Sequence, residues 1–397
     1  MRGRRVVLGV TGGIASYKSV WLARSLTQLG AEVDVVMTSG AREFVGQITF
    51  EAVTGRTVHT DIFQVGDALA HIRIARAADC IVVAPATADF LARAVQGRAD
   101  DLLAAILLAA DCPVLLAPAM NDRMWAHEQT RRNAAHARDI GYNVLEPATG
   151  PLAFGEGDGP GRLPDVETIV AHVERLLAAA SPIRGKHVVV TAGATREPID
   201  PVRFISNHSS GKMGVALAAA AWARGARVTL IAGSMEVAAP PEVDVVRIQS
   251  TGDMERALRA ALVDADVLIM AAAPADFRPS DPADRKIKKA ARPQMLALTD
   301  TNDILSATRG DRRAGLVAVG FALETDDLVA NARGKLRAKG LEFVVANRAG
   351  APGEGFGADT NRVTIVTEDA AEELPLMSKH DAADRILDRV ETLLNGR

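Results

Sequence analysis

A restart half-way along the chain constrains the fold more than any other feature. Arg4-Arg-Val-Val-Leu-Gly-Val-Thr-Gly-Gly13 is a short apolar run closed by small residues, and Lys186-His-Val-Val-Val-Thr-Ala-Gly-Ala-Thr195 repeats the design. Each is a buried strand feeding a tight turn, the way a parallel α/β sheet begins. The 397 residues suffice for more than one core, at roughly 150 residues per domain. Ser181-Pro-Ile-Arg-Gly185 marks a boundary just before the restart. The pattern predicts α/β architecture in two tandem doubly wound (Rossmann-like) domains, 1–182 and 183–397.

Short apolar runs alternate with helical patterns in both halves. In the first half the strands are expected at 5–10, 32–37, 80–84, 114–117 and 143–146, and the helices at 16–29, 42–53, 88–94, 102–108, 133–140 and from 166 to about 179. Cys80 and Cys112 are expected to open two strands of one design, each ending in Ala-Pro. In the second half, beyond the restart strand, strands are expected at 227–232, 244–248, 267–272, 316–321, 343–346 and 362–366. Helices are expected at 214–224, 251–262, 326–339 and 380–394. Residues 147–164 hold five Gly and four Pro, too many for a helix or a central strand. They make a mobile loop, either a lid or a connection.

Composition removes several classes. With 48% hydrophobic and 24% charged residues the chain can bury a core, which argues against disorder, collagen-like repeats or a disulfide scaffold. A net charge of −3 gives no whole-molecule reason to seek nucleic acid or a membrane surface, so a site for a polyanion must be built locally. Two cysteines in no CxxC or zinc spacing read as free thiols in a reducing compartment. The apolar run after the basic start stops at Thr11-Gly-Gly, too soon for a signal peptide, and Leu102 to Met120 is broken by Asp111, Pro113 and Pro118. A cytoplasmic protein is expected.

Thr11-Gly12-Gly13-Ile14-Ala15-Ser16 follows the first strand and opens a helix. Backbone N–H groups there can face an anion, although a tight turn without a ligand uses the same residues. The spacing is not GxGxxG, which speaks against an ordinary dinucleotide oxidoreductase and leaves a mononucleotide phosphate open. Pro85-Ala-Thr-Ala88 and Pro118-Ala-Met-Asn121 follow strands, so they converge on the same carboxyl edge. Asn121 alone is a helix cap or a carboxylate binder, and His71 alone is a packed histidine or a base.

Taken together, Val-Thr-Gly-Gly-Ile-Ala-Ser-Tyr-Lys, Ala-Pro-Ala-Thr-Ala-Asp and Ala-Pro-Ala-Met-Asn-Asp-Arg-Met-Trp resemble the homo-oligomeric flavin-containing cysteine decarboxylases, specifically the phosphopantothenoylcysteine decarboxylases, over most of residues 1–180. The resemblance implies FMN held at Gly12, Gly13, Ser16, Thr38, Thr87 and Ala88. It implies that His71 assists decarboxylation and that Asn121 binds the substrate carboxylate. Flavin oxidation of the thiol carbon would create a thioaldehyde that accepts the electrons released with CO₂. The family commonly has a proton-donating Cys in the mobile loop. Phe154 stands there, in a loop one residue longer, so either Glu156, Asp158 or water replaces the donor or the decarboxylase is slow or inactive.

The second half carries a denser polar run, Thr191-Ala-Gly-Ala-Thr-Arg-Glu-Pro-Ile-Asp-Pro-Val-Arg-Phe-Ile-Ser-Asn-His-Ser-Ser-Gly-Lys-Met-Gly214. Hydroxyl, amide and backbone donors at this density suit phosphates or a reacting carboxyl group. The chain has 37 Arg but nine Lys, of which Lys212, Lys286, Lys288, Lys289, Lys335 and Lys339 fall in three clusters of this half. Lys335 and Lys339 share a helix face, where like charges repel unless an anion intervenes. These clusters make a solvated basic face or a triphosphate site.

Residues 183–397 resemble the phosphopantothenate–cysteine ligases, which are fused to the decarboxylase in many bacteria. The resemblance implies CTP as co-substrate, bound by Asp276, Lys286, Asn302, Asp303, Ile304, Leu305, Phe321, Lys335 and Lys339. Asn207 would handle an acyl-cytidylate, and Mg²⁺ with Lys286 would neutralise the phosphates and the departing pyrophosphate. Pro274 and Thr-Asn-Asp-Ile depart locally from the family's usual Val and Asn-Pro-Asp-Ile. Gly355 to Arg362 resembles a family loop that closes over the site or makes a hairpin turn. The reading is a bifunctional enzyme of coenzyme A synthesis. It ligates 4′-phosphopantothenate to cysteine with CTP and decarboxylates the conjugate, in homo-oligomers that pair ligase domains as dimers and group decarboxylase domains as trimers or larger shells. A non-catalytic flavin-binding regulator on the decarboxylase fold is the alternative.

Overall fold

The computed structural model describes residues 1–63, 69–288, 295–348, 355 and 357–396. The chain divides into two compact units, Met1–Leu177 and Ala178–Arg397. Both are α/β, and both are organised around a parallel sheet.

In the first unit five parallel strands run in the order Glu32–Met37, Arg5–Val10, Cys80–Ala86, Val114–Pro118 and Asn143–Val144. Val and Leu stand on both faces of the central strands because helices cover both. Val6, Leu8 and Val10 pack on one side with Leu22, Leu26, Phe50 and Ile169. Val7 faces the other way, into Phe90, Leu103, Ile106 and Trp125. Neither face of this sheet is left for a ligand.

The second unit has an eight-stranded sheet ordered Asp244–Arg247, Arg227–Ala232, His187–Ala192, Val267–Met270, Val317–Glu324, Phe343–Arg348, Thr364–Val366 and Ala371–Glu373. The first six strands are parallel and the last two antiparallel. The helices Thr251–Leu262 and Leu328–Lys339 fill one face through Met254, Leu258, Ala332 and Leu336. Among the described residues no helix is long and apolar enough to cross a membrane.

Several expectations are corrected. The helix expected over 42–53 is two short helices, Ser39–Arg42 and Gln47–Thr54, because extended backbone at Gly46 breaks the run and starts the second. The helix expected at 133 begins at Glu128, where the His127 ring accepts from Gln129 N. His71 lies on an unforeseen helix, Ala70–Ala77. Cys112 does not open its strand, which starts at Val114. The strand expected over 267–272 ends at Met270, since Ala272 N turns to the Thr191 hydroxyl. The Gly/Pro-rich 147–164 segment is an antiparallel hairpin, Ala148–Pro151 with Asp158–Arg162. From the loop at 355–362, Thr360–Asn361 pairs antiparallel with Met377–Ser378; Phe356 and Lys289 lie outside the described residues.

Candidate functional site

Parallel strands ending together leave their following loops at one edge, and in the first unit Thr11 joins two of them. Its buried hydroxyl donates to Pro85 O at 2.7 Å and accepts from Thr87 N at 3.1 Å. A Cβ on Gly12 would stand 2.8 Å from the Gly40 carbonyl carbon, so only glycine lets this loop meet the one after Thr38. A Cβ on Gly13 would meet only Thr87 Cγ2, at 3.7 Å, so the Gly13 side of the loop is open. Thr38 and Thr87 each cap a helix, accepting from Ala41 N and Phe90 N, and Ala88 begins the second of these helices. Ser16 is fully buried, and its hydroxyl donates to Thr11 O at 2.9 Å and to Gly13 O at 2.6 Å. It braces the loop, and its proton is already committed.

Asn121 caps the helix Asp122–Ala126, accepting from Arg123 N at 2.9 Å. The hairpin base sits on this turn. Met120 N donates to Gly161 O, and a Cβ on Gly161 would fall 2.2 Å from Met120 O. Burial, with Arg162 as a lesser cause, lowers the Lys18 pKa. Phe154 stands fully exposed at the far end of the hairpin. His71 Nδ1 is buried with no hydrogen-bond partner among the described residues, a cost that a ligand or water would relieve.

In the second unit the same edge opens into a cavity of about 470 Å³. It brings together Asn207, Asp276, Asn302, Asp303, Ile304, Leu305, Phe321, Lys335 and Lys339, every residue assigned to the nucleotide except Lys286. Asn207 Nδ2 donates to Ala273 O and Pro274 O at 3.1 and 3.0 Å, fixing its side chain across the loop after Met270. Lys335 Nζ donates to Phe321 O at 2.5 Å. Burial first, and Lys339 second, push the Lys335 pKa down. Asp303 faces Lys339 at 2.9 Å. Burial works against the Asp303 carboxylate, yet the bonds from Lys339 and Ser306 N outweigh it and hold its pKa below the ordinary value. Asn302 Nδ2 is held by Glu255 at 3.1 Å.

Lys286, by contrast, is exposed and does not line the cavity. Its segment is anchored by Asp200, which accepts from Ile287 N at 3.1 Å. Asp200 is buried, and Arg203 together with the backbone N–H groups of Val202, Ile287 and Arg203 holds its carboxyl well below the usual range. Sequence reasoning also passed over Ser210, Asn347, Asn361 and Lys379, which line the cavity. A signal existed for Lys379, since it is one of only nine lysines.

Residues 1–178 match the flavoprotein family, and residues 183–394 match the family described as DNA/pantothenate metabolism flavoprotein C-terminal domain. The coenzyme A biosynthesis bifunctional protein CoaBC of Mycobacterium tuberculosis (strain ATCC 25618 / H37Rv) is 46% identical over 409 residues, covering 99% of this chain and 97% of its own. Its counterpart from Bacillus subtilis (strain 168) is 45% identical over 399 residues, covering 99% and 98%. The chain belongs to the CoaBC family. A solved C-terminal domain of a CoaBC protein is 37% identical, covering 55% of this chain and 100% of its own with a TM-score of 0.47. As a CoaBC, the chain is a bifunctional enzyme of coenzyme A synthesis, a phosphopantothenoylcysteine decarboxylase joined to a phosphopantothenate–cysteine ligase. In this CoaBC, Gly12→Ala is expected to fold but to lose most of its bound flavin, since the added methyl parts the two loops; visible absorbance of the purified protein checks this, and full yellow colour would contradict it.

Proposed function

We propose that the second unit activates 4′-phosphopantothenate with CTP and acylates cysteine, and that the first unit decarboxylates the product with FMN. The observation that carries this is the single cavity gathering Asn207, Asp276, Asn302 to Leu305, Phe321, Lys335 and Lys339. A carboxylate attacking the α-phosphate brings two anions together, so the barrier is largely electrostatic. Lys335 and Lys339, with Mg²⁺ carried on the triphosphate, offset that repulsion. Asn207 is held where an acyl-cytidylate would form, and attack by the cysteine amine releases CMP. Lys286 remains in this proposal on its motif alone.

The first unit's edge suits FMN because Gly12 and Gly13 leave room at the positive end of the helix Ser16–Gln28, with Thr38, Thr87 and Ala88 beside them. When bound, FMN supplies the hydride acceptor and donor that make loss of CO₂ from cysteine feasible. His71, with a buried nitrogen lacking a partner, is suited to hold or move a proton there. Asn121 orients the substrate carboxylate. Phe154 has no exchangeable proton, so in this reading the donor is Glu156, Asp158 or water.

We propose also that the protein is a homo-oligomer, with ligase units as dimers and decarboxylase units as trimers or larger shells. Ile14, Tyr17 and Trp21 are 66%, 54% and 59% exposed at a helical spacing, an apolar stripe that a second copy would cover.

Supplying 4′-phosphopantothenate, cysteine, CTP and Mg²⁺ while following pyrophosphate and CO₂ separately tests both reactions. Both products are expected; pyrophosphate without CO₂ would mean Phe154 has cost the first unit its reaction. His71→Asn is expected to stop CO₂ release with flavin still bound, and unchanged turnover removes His71 from the mechanism. Lys286→Gln is expected to abolish pyrophosphate release, whereas full ligation removes Lys286. Trp21→Glu is expected to lower the sedimenting mass, and an unaltered mass contradicts the assigned stripe.

A further inference from the structure

One wall of the ligase cavity is left unused by the nucleotide assignment. It is built from Lys212, Asn347, Asn361 and Lys379. Lys212 is the first residue of the helix Lys212–Ala223, and Lys379 is the first of Lys379–Asn395. A cation at the first position of a helix faces the positive end of the dipole, which disfavours it. Two of the chain's nine lysines occupy that position, and both line the same cavity.

Their partners do not balance the charge. Lys212 Nζ lies 2.6 Å from Asp359 Oδ1 and donates to Gly357 O at 2.7 Å. Lys379 is only 7% exposed, and among the described residues its Nζ has one hydrogen-bond partner, the neutral Gly355 O at 3.1 Å. Burial, then the neighbouring Lys212, push the Lys379 pKa down. Among the described residues one carboxylate thus serves two ammonium groups, and the more buried ammonium has a single, neutral partner.

Beside Lys379 stands Asn361, 1% exposed, and among the described residues its Oδ1 has no partner. Asn347 Oδ1 is likewise buried and unpartnered. Each leaves a buried acceptor for a ligand, and leaving it unsatisfied is costly. The placement is built in by the backbone. Asn361 pairs with Met377 in a short antiparallel ladder, and Lys379 N donates to Asp359 O at 3.0 Å. The excess positive charge calls for an anion, and the two acceptors call for O–H or N–H groups on the same molecule. A bare inorganic anion satisfies only the first demand.

We propose that Lys379, Lys212 and Asn361 form a phosphate subsite for an organic phosphate whose hydroxyl or amide groups reach Asn361 and Asn347. This rests on the ligase reading and deepens it. Two substrates of that reaction carry such chemistry, the triphosphate tail of the nucleotide and the phosphomonoester of 4′-phosphopantothenate.

The test measures pyrophosphate release by the full-length protein with CTP, 4′-phosphopantothenate and cysteine varied in turn. Lys379→Met is expected to raise KM for one phosphate-bearing substrate at least tenfold, while KM for cysteine stays within twofold. Lys379→Arg, which keeps the charge, should recover most of the loss, and Asn361→Asp should raise the same KM by adding a negative charge. The KM that rises identifies which phosphate is held. Unchanged KM values, or a fall in kcat alone, overturn the subsite, as does equal loss in Lys379→Arg and Lys379→Met. If the wild type releases no pyrophosphate, the ligase reading falls and the subsite is judged by calorimetry with inorganic pyrophosphate. A tenfold weaker titration of Lys379→Met supports it, and equal affinity overturns it.

Discussion

A parallel sheet wrapped on both faces hides every side chain along its strands, so polar chemistry is confined to the edge where the strands end. Both halves of this chain obey that constraint. In the first, the segments after Val10, Met37 and Ala86 are drawn together by the Thr11 hydroxyl and by the Gly12–Gly40 approach. In the second, the loops after Ala192 and Met270 and the end of the strand Val317–Glu324 open into one cavity. The buried Val, Ile and Leu residues hold these edges rigid, and the cradle for each reaction is a by-product of where the ladders stop.

Within the ligase unit the next constraint is electrostatic. Lys335, Lys339, Lys212 and Lys379 all line one cavity, and four ammonium groups cannot be gathered without cost unless carboxylates or a ligand offset them. Asp303 and Asp359 offset Lys339 and Lys212. Lys335 and Lys379 are left on backbone carbonyls, their charge disfavoured mainly by burial. In the proposed ligase reaction, the same repulsion that weakens the free protein would strengthen its hold on an anion.

Periodicity found the strands because a doubly buried strand is a run of Val, Ile and Leu whatever surrounds it. Arg5–Val10, Glu32–Met37 and Arg227–Ala232 fall where the pattern put them. It failed where short-range hydrogen bonds decide. Gly46 splits one helix, His127 starts another five residues early, and the Gly/Pro-rich segment folds back as a hairpin on the Asn121 turn. The Ser16 hydroxyl, too, is engaged locally, donating to Gly13 O and Thr11 O. Lys286 belongs to a convincing lysine cluster yet stands outside the cavity, because clustering along the chain says nothing about which way a loop is tied down.

The amino-acid sequence by itself determined that there are two α/β halves and that their central strands are buried, since these follow from local pattern and residue type. Only the tertiary structure decided that Asn347, Asn361 and Lys379 join Lys212 on one wall. Their meeting depends on strand order and on the two-residue ladder between Asn361 and Met377, contacts between positions far apart in sequence that no local pattern encodes.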